Sequence, residues 1–221
     1  MNIERILSSC DHTCLDRCAT RTDIERTVNE GIKYSVASVC IPPCYVKYAK
    51  GIACGRVKIC TVIGFPNGYS AAEAKVYEAK IALSDGADEI DTVINVGALK
   101  VGRDEEILAE INAIKAAIGD RILKVIVETC LLTEEEKIRA CRIVSESRAD
   151  YIKTSTGFST GGATLEDVRL MAENMTGGKK IKAAGGISSL EDAEAFLDAG
   201  VSRLGTSRIV KLVEYKPALG Y

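Results

Sequence analysis

The chain has 221 residues, of which 47% are hydrophobic and 27% are charged, and its formal net charge is -2. This length and composition are typical of one compact folded unit, so we expect a single domain over residues 1–221. The slightly acidic balance offers no basic surface for a nucleic acid, and no apolar run approaches the roughly 20 residues of a membrane span. Nucleic-acid and membrane partners are therefore not expected.

The cysteines and the first ten residues bear on the cellular compartment. Charges at Glu4 and Arg5 interrupt the segment in which a secretory signal would carry its apolar core. The nine cysteines are odd in number, and none forms a C-x-x-C pair, although Cys10, Cys14 and Cys18 recur every four residues. A cytosolic chain of this size needs no disulfides, so we expect a cytoplasmic protein whose cysteines are mostly small apolar core residues.

Short apolar, β-branched segments alternate with helical patterns along almost the whole chain, which is typical of repeated βα units and a parallel sheet. Eight segments are predicted to be strands: Ser9–His12, Val36–Ile41, Val57–Ile63, Glu89–Val93, Leu123–Glu128, Tyr151–Thr154, Ile181–Ala184 and Arg203–Gly205. Five helix starts are predicted where a hydroxyl side chain precedes first-turn carboxylates, a pattern that caps helices: Thr22–Asp23, Ser70, Thr133, Thr164 and Ser188–Ser189.

Eight such units can close into a barrel. The alternative is an open doubly wound sheet, which usually has five or six strands and carries a G-x-G-x-x-G fingerprint after its first strand, and this sequence has no such fingerprint. We therefore predict an α/β fold, a single (β/α)8 TIM barrel with a short N-terminal helix. In such a barrel the side chains at the carboxyl ends of the strands converge on one mouth.

Three charged residues stand in or at the end of otherwise apolar predicted strands, where a charge is costly unless it is paired or used. They are Asp91, Lys153 and Lys182. Lys153 and Lys182 lie on consecutive strands, which are about 4.8 Å apart in a parallel sheet. Two ammonium groups at about 5 Å repel by roughly 3 kcal/mol, which would lower the pKa of one of them by about two units. A neutral lysine amine is a nucleophile toward aldehydes, so this spacing predicts covalent lysine chemistry.

Glycine and hydroxyl residues follow the last three predicted strands, and they indicate a phosphate site. Thr154–Gly157 follow the sixth strand, Gly185 and Gly186 follow the seventh, and Ser207 stands at an expected helix start after the eighth. Glycines allow backbone N–H groups to approach an anion, and the last loops of this barrel commonly bind phosphate. A sugar phosphate or another small phosphorylated molecule is the expected ligand.

No cluster of histidines or paired carboxylates indicates a metal, and His12 is the only histidine in the chain. We interpret His12, next to Asp11, as a structural hydrogen-bonded residue that supports the mouth. The expected chemistry depends on lysine and carboxylate side chains, and we expect neither a metal nor another cofactor.

Taken together, several motifs along nearly the whole chain resemble those of the deoxyribose-phosphate aldolase family. They are Asp11-His12-Thr13, Val39-Cys40-Ile41-Pro42-Pro43, Gly64-Phe65-Pro66, Ala87-Asp88-Glu89-Ile90-Asp91, Asn95-Val96-Gly97-Ala98-Leu99, Lys124-Val125-Ile126-Val127-Glu128-Thr129, Lys153-Thr154-Ser155-Thr156-Gly157-Phe158 and Lys182-Ala183-Ala184-Gly185-Gly186-Ile187. The resemblance implies reversible cleavage of 2-deoxy-D-ribose 5-phosphate to glyceraldehyde 3-phosphate and acetaldehyde without a cofactor. It also implies a homo-oligomer, a dimer or a tetramer.

The resemblance further implies roles for individual residues. Lys153 would form the imine with the substrate, Lys182 would keep the amine of Lys153 partly neutral, and Asp91 would transfer protons. The phosphate would be held by Thr156, Gly157, Gly185, Gly186 and Ser207, with Asp11, Cys40 and Tyr221 in supporting positions. Some relatives carry a lysine where this chain has Phe158, which makes the phosphate end less positive here. The alternatives are another phosphate-binding barrel enzyme, such as a ketose-phosphate aldolase, a transaldolase-like enzyme or a sugar-phosphate isomerase, and a sugar-phosphate-binding barrel without turnover.

Overall fold

A computed structural model describes residues 1–215 and shows eight parallel strands that pair in sequence order and close into a barrel. The strands are Cys10–Thr13 (β1), Ser38–Ile41 (β2), Ile59–Ile63 (β3), Glu89–Val93 (β4), Ile122–Ile126 (β5), Tyr151–Lys153 (β6), Lys180–Ala184 (β7) and Arg203–Thr206 (β8). Tyr221 lies outside the described residues. The predicted (β/α)8 barrel is confirmed, and the open sheet is excluded.

Helices precede the barrel and connect its strands. They are Ile3–Ser8 (α1), Arg21–Lys33 (α2), Val46–Ala53 (α3), Ala72–Ser84 (α4), Val96–Lys100 (α5), Asp104–Ile118 (α6), Glu134–Glu146 (α7), Leu165–Asn174 (α8), Leu190–Asp198 (α9) and Ile209–Tyr215 (α10). The short N-terminal helix is therefore confirmed as α1. Over residues 1–215, no helix is long and apolar enough to cross a membrane.

The predicted helix starts are confirmed at three of five positions. Thr133, Thr164 and Ser189 each accept a hydrogen bond from a first-turn N–H group. The start at Thr22 was wrong, because Thr20 caps α2 and forms a reciprocal capping box with Asp23. The start at Ser70 was also wrong. Helix α4 begins after Ala71, which has no side chain that could accept such a bond.

Two predicted strands began too early. Val36 and Val57 are buried β-branched residues, but each precedes the paired part of its strand by two residues. The N–H of Val36 donates to the carbonyl of Gly31 at 3.1 Å, which belongs to the end of α2 and not to the sheet. These linkers contain buried apolar residues, which made them look like parts of the strands.

The main hydrophobic core lies between the barrel and its helices, and a smaller cluster of Cys40, Cys60 and Val62 lies apart from it. All nine cysteines are free thiols. The expectation that most of them are core residues was wrong, because only four are buried and most of the others lie on exposed helix or loop surfaces. The buried cysteines are Cys10, Cys40, Cys60 and Cys141.

The strand register brings the charged residues together. Lys153 on β6 pairs with Lys182 on β7, and Lys182 is in turn level with Arg203 on β8. On the adjoining strands, Asp91 on β4 is level with Lys124 on β5, and β5 pairs with β6. Residues at one level of neighbouring strands point to the same face of the sheet, and closure of the barrel turns that face inward. The interior therefore contains a layer of charges.

Candidate active site

Asp91 is the centre of the charged layer. Its Oδ2 atom accepts hydrogen bonds from Lys153 Nζ at 2.7 Å and from Lys182 Nζ at 2.8 Å. Its Oδ1 atom accepts from Lys124 Nζ at 2.8 Å. The amines of Lys153 and Lys182 thus contact the same oxygen atom, which places them about as close as the sequence spacing predicts. A carboxylate separates them, however, and the repulsion argued from the sequence did not include it.

Two further carboxylates complete the layer. Asp11 on β1 accepts from Lys182 Nζ at 2.5 Å and from Arg203 at 2.6 Å. Glu89 on β4 contacts Lys124 Nζ at 2.7 Å and accepts from Arg203 at 3.0 Å. Four cationic side chains and three carboxylates therefore lie in one buried network, which carries one excess positive charge when every member is ionised.

The network perturbs the acidity of its members. Burial alone would lower the pKa of Lys182, but the carboxylates of Asp11 and Asp91 outweigh it and raise that pKa above its ordinary value. Burial opposes the charge of Asp91 in the same way, but Lys124, Lys153 and Lys182 hold its pKa well below the usual range. Lys182 is therefore a stable cation and Asp91 a stable anion, as expected for opposite charges in contact.

Over residues 1–215, two groups of side chains could together offer ligands to a metal ion, and each includes at least one carboxylate of this network. Cys40, Cys60 and Asp91 form one such group, and Asp11, Cys60 and Glu89 form the other. The carboxylates of both groups already accept bonds from lysine or arginine, and Cys60 Sγ lies 3.3 Å from Lys124 Nζ. A divalent cation would have to displace these cations, so the donor set is better suited to ion-paired amines than to a metal.

A cavity of about 1090 Å³ opens beside the network and reaches Lys153. Lys153 is 3% exposed, and it is the only lysine of the network among the cavity-lining residues over positions 1–215. Lys124 and Lys182 are fully buried and do not line the cavity. A ligand in the cavity can therefore reach the amine of Lys153, while the other two amines lie behind it.

The predicted phosphate residues line the same cavity. Gly157 follows β6, Gly185 and Gly186 follow β7, and Ser207 follows β8. Within residues 1–215, the backbone N–H groups of these four residues have no protein acceptor. Gly185 and Gly186 have φ values of +76° and +77°, which residues with a side chain rarely adopt. Ser207 lies two residues before α10, not at its first turn. Free N–H groups that converge on one cavity can bind a phosphate group.

The supporting residues predicted from the sequence have different surroundings. Asp11 is buried in the charged network, and Cys40 is buried beside Cys60, behind the residues that line the cavity. Thr156 lines the cavity, but its hydroxyl contacts the carboxylate of Glu128. His12 contacts Glu30 at 2.7 Å, which fits a structural role, while its Nδ1 atom is buried without a partner.

Sequence reasoning missed four residues of the site. Glu89, Lys124 and Arg203 belong to the charged network, and Glu128 holds Thr156. The signal that identified Asp91, a charge within an apolar strand, was also present at Lys124. Glu89 and Arg203 stand at the first positions of their strands, where a charge usually reaches solvent. Glu89 points to the same face as Asp91, two residues later on β4, and the register of Arg203 with Lys182 turns it inward.

Comparison with known proteins gives consistent matches. The family description "DeoC/LacD family aldolase" matches residues 5–205. The chain is 56% identical over 214 residues to "Deoxyribose-phosphate aldolase" of Streptococcus pyogenes serotype M4, covering 97% of this chain and 96% of that protein. It is 51% identical over 221 residues to the protein of the same name from Clostridium botulinum, and this match covers both chains completely.

A solved structure agrees with these matches. It is described as the "unique tetrameric structure of deoxyribose phosphate aldolase from Aeropyrum pernix". It superposes with a TM-score of 0.88 at 32% identity and covers 99% of this chain and 94% of that chain. The fold and the sequence thus point to the same group of proteins.

Proposed function

Because the chain belongs to the DeoC/LacD family of aldolases, we propose that it cleaves 2-deoxy-D-ribose 5-phosphate reversibly to D-glyceraldehyde 3-phosphate and acetaldehyde. The names of its relatives support this substrate. The observation that carries the proposal is the amine of Lys153, which borders a cavity with free N–H groups while it contacts Asp91 beside Lys182. This substrate needs one lysine that forms an imine and one site that binds its phosphate. The loops that follow β6, β7 and β8, called here the phosphate cradle, offer free N–H groups for the second.

Lys153 is the proposed nucleophile because it alone among the buried lysines of the network borders the cavity. Lys182 keeps its proton because Asp11 and Asp91 raise its pKa despite burial. Lys182 is therefore a fixed cation beside the amine of Lys153, and the neutral form of a lysine amine is the form that attacks an aldehyde.

In the proposed reaction, Lys153 Nζ adds to the aldehyde carbon C1 of the open-chain sugar, and the resulting carbinolamine loses water to give a protonated imine. The C3 hydroxyl then gives up its proton, the bond between C2 and C3 breaks, and its electron pair moves to C2 and the imine, which becomes an enamine. Glyceraldehyde 3-phosphate leaves. Protonation of the enamine at C2 and addition of water to the imine release acetaldehyde and restore Lys153.

Asp91 has a proposed role in proton transfer around Lys153. Its carboxylate is buried and does not line the cavity, so any proton that it exchanges with the C3 hydroxyl must pass through a water molecule or through Lys153. Its lowered pKa makes it a weak base at rest. The protonated imine of Lys153 keeps its positive charge beside Asp91, and its conversion to the neutral enamine removes that charge, so the basicity of Asp91 rises as the bond between C2 and C3 breaks.

Trapping the imine tests this proposal. The protein is mixed with 2-deoxyribose 5-phosphate and borohydride, and the intact mass and the modified peptide are determined. We expect a reduced adduct on Lys153 and none in the Lys153→Leu variant, which should keep its fold and lose at least about 1,000-fold in turnover. No adduct in the parent protein, or an adduct on a different lysine, would contradict the proposal.

The alternatives give other results in the same assay. A sugar-phosphate isomerase needs no covalent lysine and would leave the mass unchanged. A ketose-phosphate aldolase or a transaldolase-like enzyme would be trapped with a ketose donor and would not use acetaldehyde. A binding barrel without turnover would bind the sugar phosphate and release no acetaldehyde. Acetaldehyde as donor in the synthetic direction therefore distinguishes the proposed activity from each of them.

We also propose a homo-oligomeric, cytoplasmic enzyme, either a homodimer or a homotetramer. The relative from Aeropyrum pernix is described as tetrameric, which supports an oligomer. Nine free thiols, several of them exposed, are typical of a reducing compartment. Light scattering after gel filtration measures the assembly, and a monomer would contradict the first part of this proposal.

A further inference from the structure

Glu128 combines three unusual features behind the cavity. It follows β5 with a φ of 57°, a backbone conformation that is uncommon for a residue with a side chain. Its side chain is buried, and the residue is only 4% exposed. Among the residues that the structure describes, no lysine, arginine or histidine pairs with its carboxylate. A strained, buried and unpaired acid is costly, so its remaining contacts are informative.

The carboxylate of Glu128 holds one residue, Thr156, in two ways. Its Oε1 atom accepts the backbone N–H of Thr156 at 3.1 Å, and its Oε2 atom contacts the hydroxyl of the same threonine. Glu128 belongs to the loop after β5, and Thr156 belongs to the loop after β6. The carboxylate of Glu128 therefore holds the loop after β6, which is part of the phosphate cradle, against the end of β5.

Thr156 passes this constraint on to Phe158. Its hydroxyl oxygen accepts the backbone N–H of Phe158 at 3.0 Å, so its own proton is directed to Glu128. The N–H groups of Thr156 and Phe158 are thus both bound within the protein. Between them, the N–H of Gly157 has no acceptor over residues 1–215, and Gly157 turns the chain with a φ of +84°. The arrangement leaves one free donor at the cavity.

We propose that Glu128 is a positioning residue for phosphate recognition, which acts through Thr156 to present the Gly157 N–H to the substrate phosphate. This inference rests on the proposed function. Glu128 does not line the cavity, so its own charge stays behind the loop. The carboxylate offers two acceptor atoms to two donors of Thr156, and no neutral side chain of the same size does the same.

Glu128→Gln tests the inference because it keeps the shape and removes one acceptor. Glutamine has one acceptor atom, so it cannot accept from both the backbone N–H and the hydroxyl of Thr156, and the loop is held less firmly. We expect KM for 2-deoxyribose 5-phosphate to rise about tenfold or more, with a smaller change in kcat. The rate of borohydride trapping with acetaldehyde, which forms the two-carbon imine of the last step on the same lysine without a phosphate, should stay within about twofold of the parent rate.

Controls separate positioning from a general structural effect. Glu134→Gln changes an exposed glutamate in the first turn of α7 and should alter neither measurement. Thr156→Val removes the hydroxyl that links Glu128 to Phe158 and should reproduce the rise in KM, and it decides the question if Glu128→Gln does not fold. The double variant should be little worse than either single variant, because the two residues act as one unit.

Two results would overturn the inference. One is an equal loss in cleavage and in acetaldehyde trapping, which indicates a general structural role. The other is an unchanged KM in both variants. If instead the parent protein forms no imine with either compound, the proposed function itself fails. The acetaldehyde reaction of the parent protein therefore distinguishes the two failures.

Discussion

Lys153 and Lys182 share one carboxylate oxygen, but their surroundings differ. Lys182 contacts both Asp11 and Asp91 and is fully buried. Lys153 contacts Asp91 and borders the cavity. Two carboxylates contact Lys182, whereas Lys153 contacts one carboxylate over residues 1–215. The proposed division between a reacting amine and a fixed cation therefore depends on the carboxylate partners and on access to the cavity, not on simple repulsion between two lysines.

Replacing Lys182 with methionine tests this division. Without the cation of Lys182, Asp91 loses one of the groups that hold its pKa below the usual range, so that pKa should rise. We expect kcat near neutral pH to fall about 100-fold or more, and the rise of activity with pH to move to higher pH. Steady-state cleavage rates from about pH 6 to pH 9.5 measure both effects.

Lys180→Met is the matched control for this experiment. It removes a lysine from the same strand, but Lys180 is exposed at the start of β7 and its amine lies over the ring of Tyr151 at 5.8 Å. Activity and its pH profile should be nearly unchanged in this variant. An unaltered pH profile in Lys182→Met would mean that the cation of Lys182 does not govern the ionisation of Asp91.

Charges that interrupt an apolar strand could be predicted from the sequence to lie in the site, whereas charges at the start of a strand could not. Asp91, Lys153 and Lys182 stood out because each is costly in a strand interior. Glu89 and Arg203 occupy positions where a charge is ordinary. Glu89 lies two residues before Asp91 on β4 and so points to the same face, but its place at the strand start did not mark it as buried. The inward direction of Arg203 depends on its register with Lys182. The contact of Glu128 with Thr156 joins two loops, and no local pattern predicts it.

At the scale of elements, α2 offers a direct test of how a helix start is recognised. Thr20 and Thr22 are both threonines near the start of this helix, but only Thr20 forms the capping box with Asp23. Thr20→Ala should lower the free energy of unfolding by about 1 kcal/mol, since the hydrogen bonds of the capping box between Thr20 and Asp23 are lost. Urea unfolding measures this change.

Thr22→Ala provides the internal comparison. Thr22 is exposed within the first turn, and alanine is a better helix former than threonine, so the variant should be as stable as the parent protein or slightly more stable. Equal destabilisation by both substitutions would show that the capping assignment is wrong. The sequence pattern predicted the helix but assigned its cap to the wrong threonine. A capping box needs an acid three residues after the cap, and Thr20, not Thr22, has this spacing to Asp23.

The loops after β6 and β7 approach each other at Gly162. A Cβ atom there would lie 2.5 Å from the carbonyl carbon of Gly185 and 2.9 Å from the nitrogen of Gly186. Gly162→Ala should therefore push the two loops of the phosphate cradle apart and raise KM for the phosphorylated substrate about tenfold, with a loss of stability of about 1–3 kcal/mol. Enzyme kinetics and urea unfolding measure the two effects.

Gly51→Ala is the control for the loop experiment. Gly51 lies within α3, and a Cβ atom there would meet no atom within 4 Å. Alanine should keep KM unchanged and increase stability slightly, because glycine weakens a helix interior. If Gly162→Ala left KM unchanged as well, the spacing of the two loops would not matter for phosphate binding.

For the whole molecule, closure of the barrel creates the site. The charged network joins β1, β4, β5, β6, β7 and β8, so no pair of neighbouring strands contains it. The alternation of strands and helices was sufficient to predict the barrel, since it repeats along the chain. It did not predict which charges would meet across the interior, because that depends on the register and inward direction of strands far apart in sequence.

The single histidine makes the stability of the whole fold depend on pH in a defined direction. Burial lowers the pKa of His12 and outweighs the opposing effect of Glu30, with Arg26 and Lys211 also lowering it. The unfolded chain therefore takes up a proton more readily than the folded chain. The contribution of His12 to stability is full above its ordinary pKa of about 6.5 and declines as pH falls through that value toward the folded pKa.

We expect the free energy of unfolding to fall between about pH 7.5 and pH 5.5, and to fall less in His12→Gln. The glutamine NH₂ group can still donate to Glu30, but it does not titrate, so the difference between the two proteins isolates the histidine. Urea unfolding at both pH values measures it. An equal loss of stability in both proteins would mean that protonation of His12 does not destabilise the fold, although its Nδ1 atom is buried without a partner.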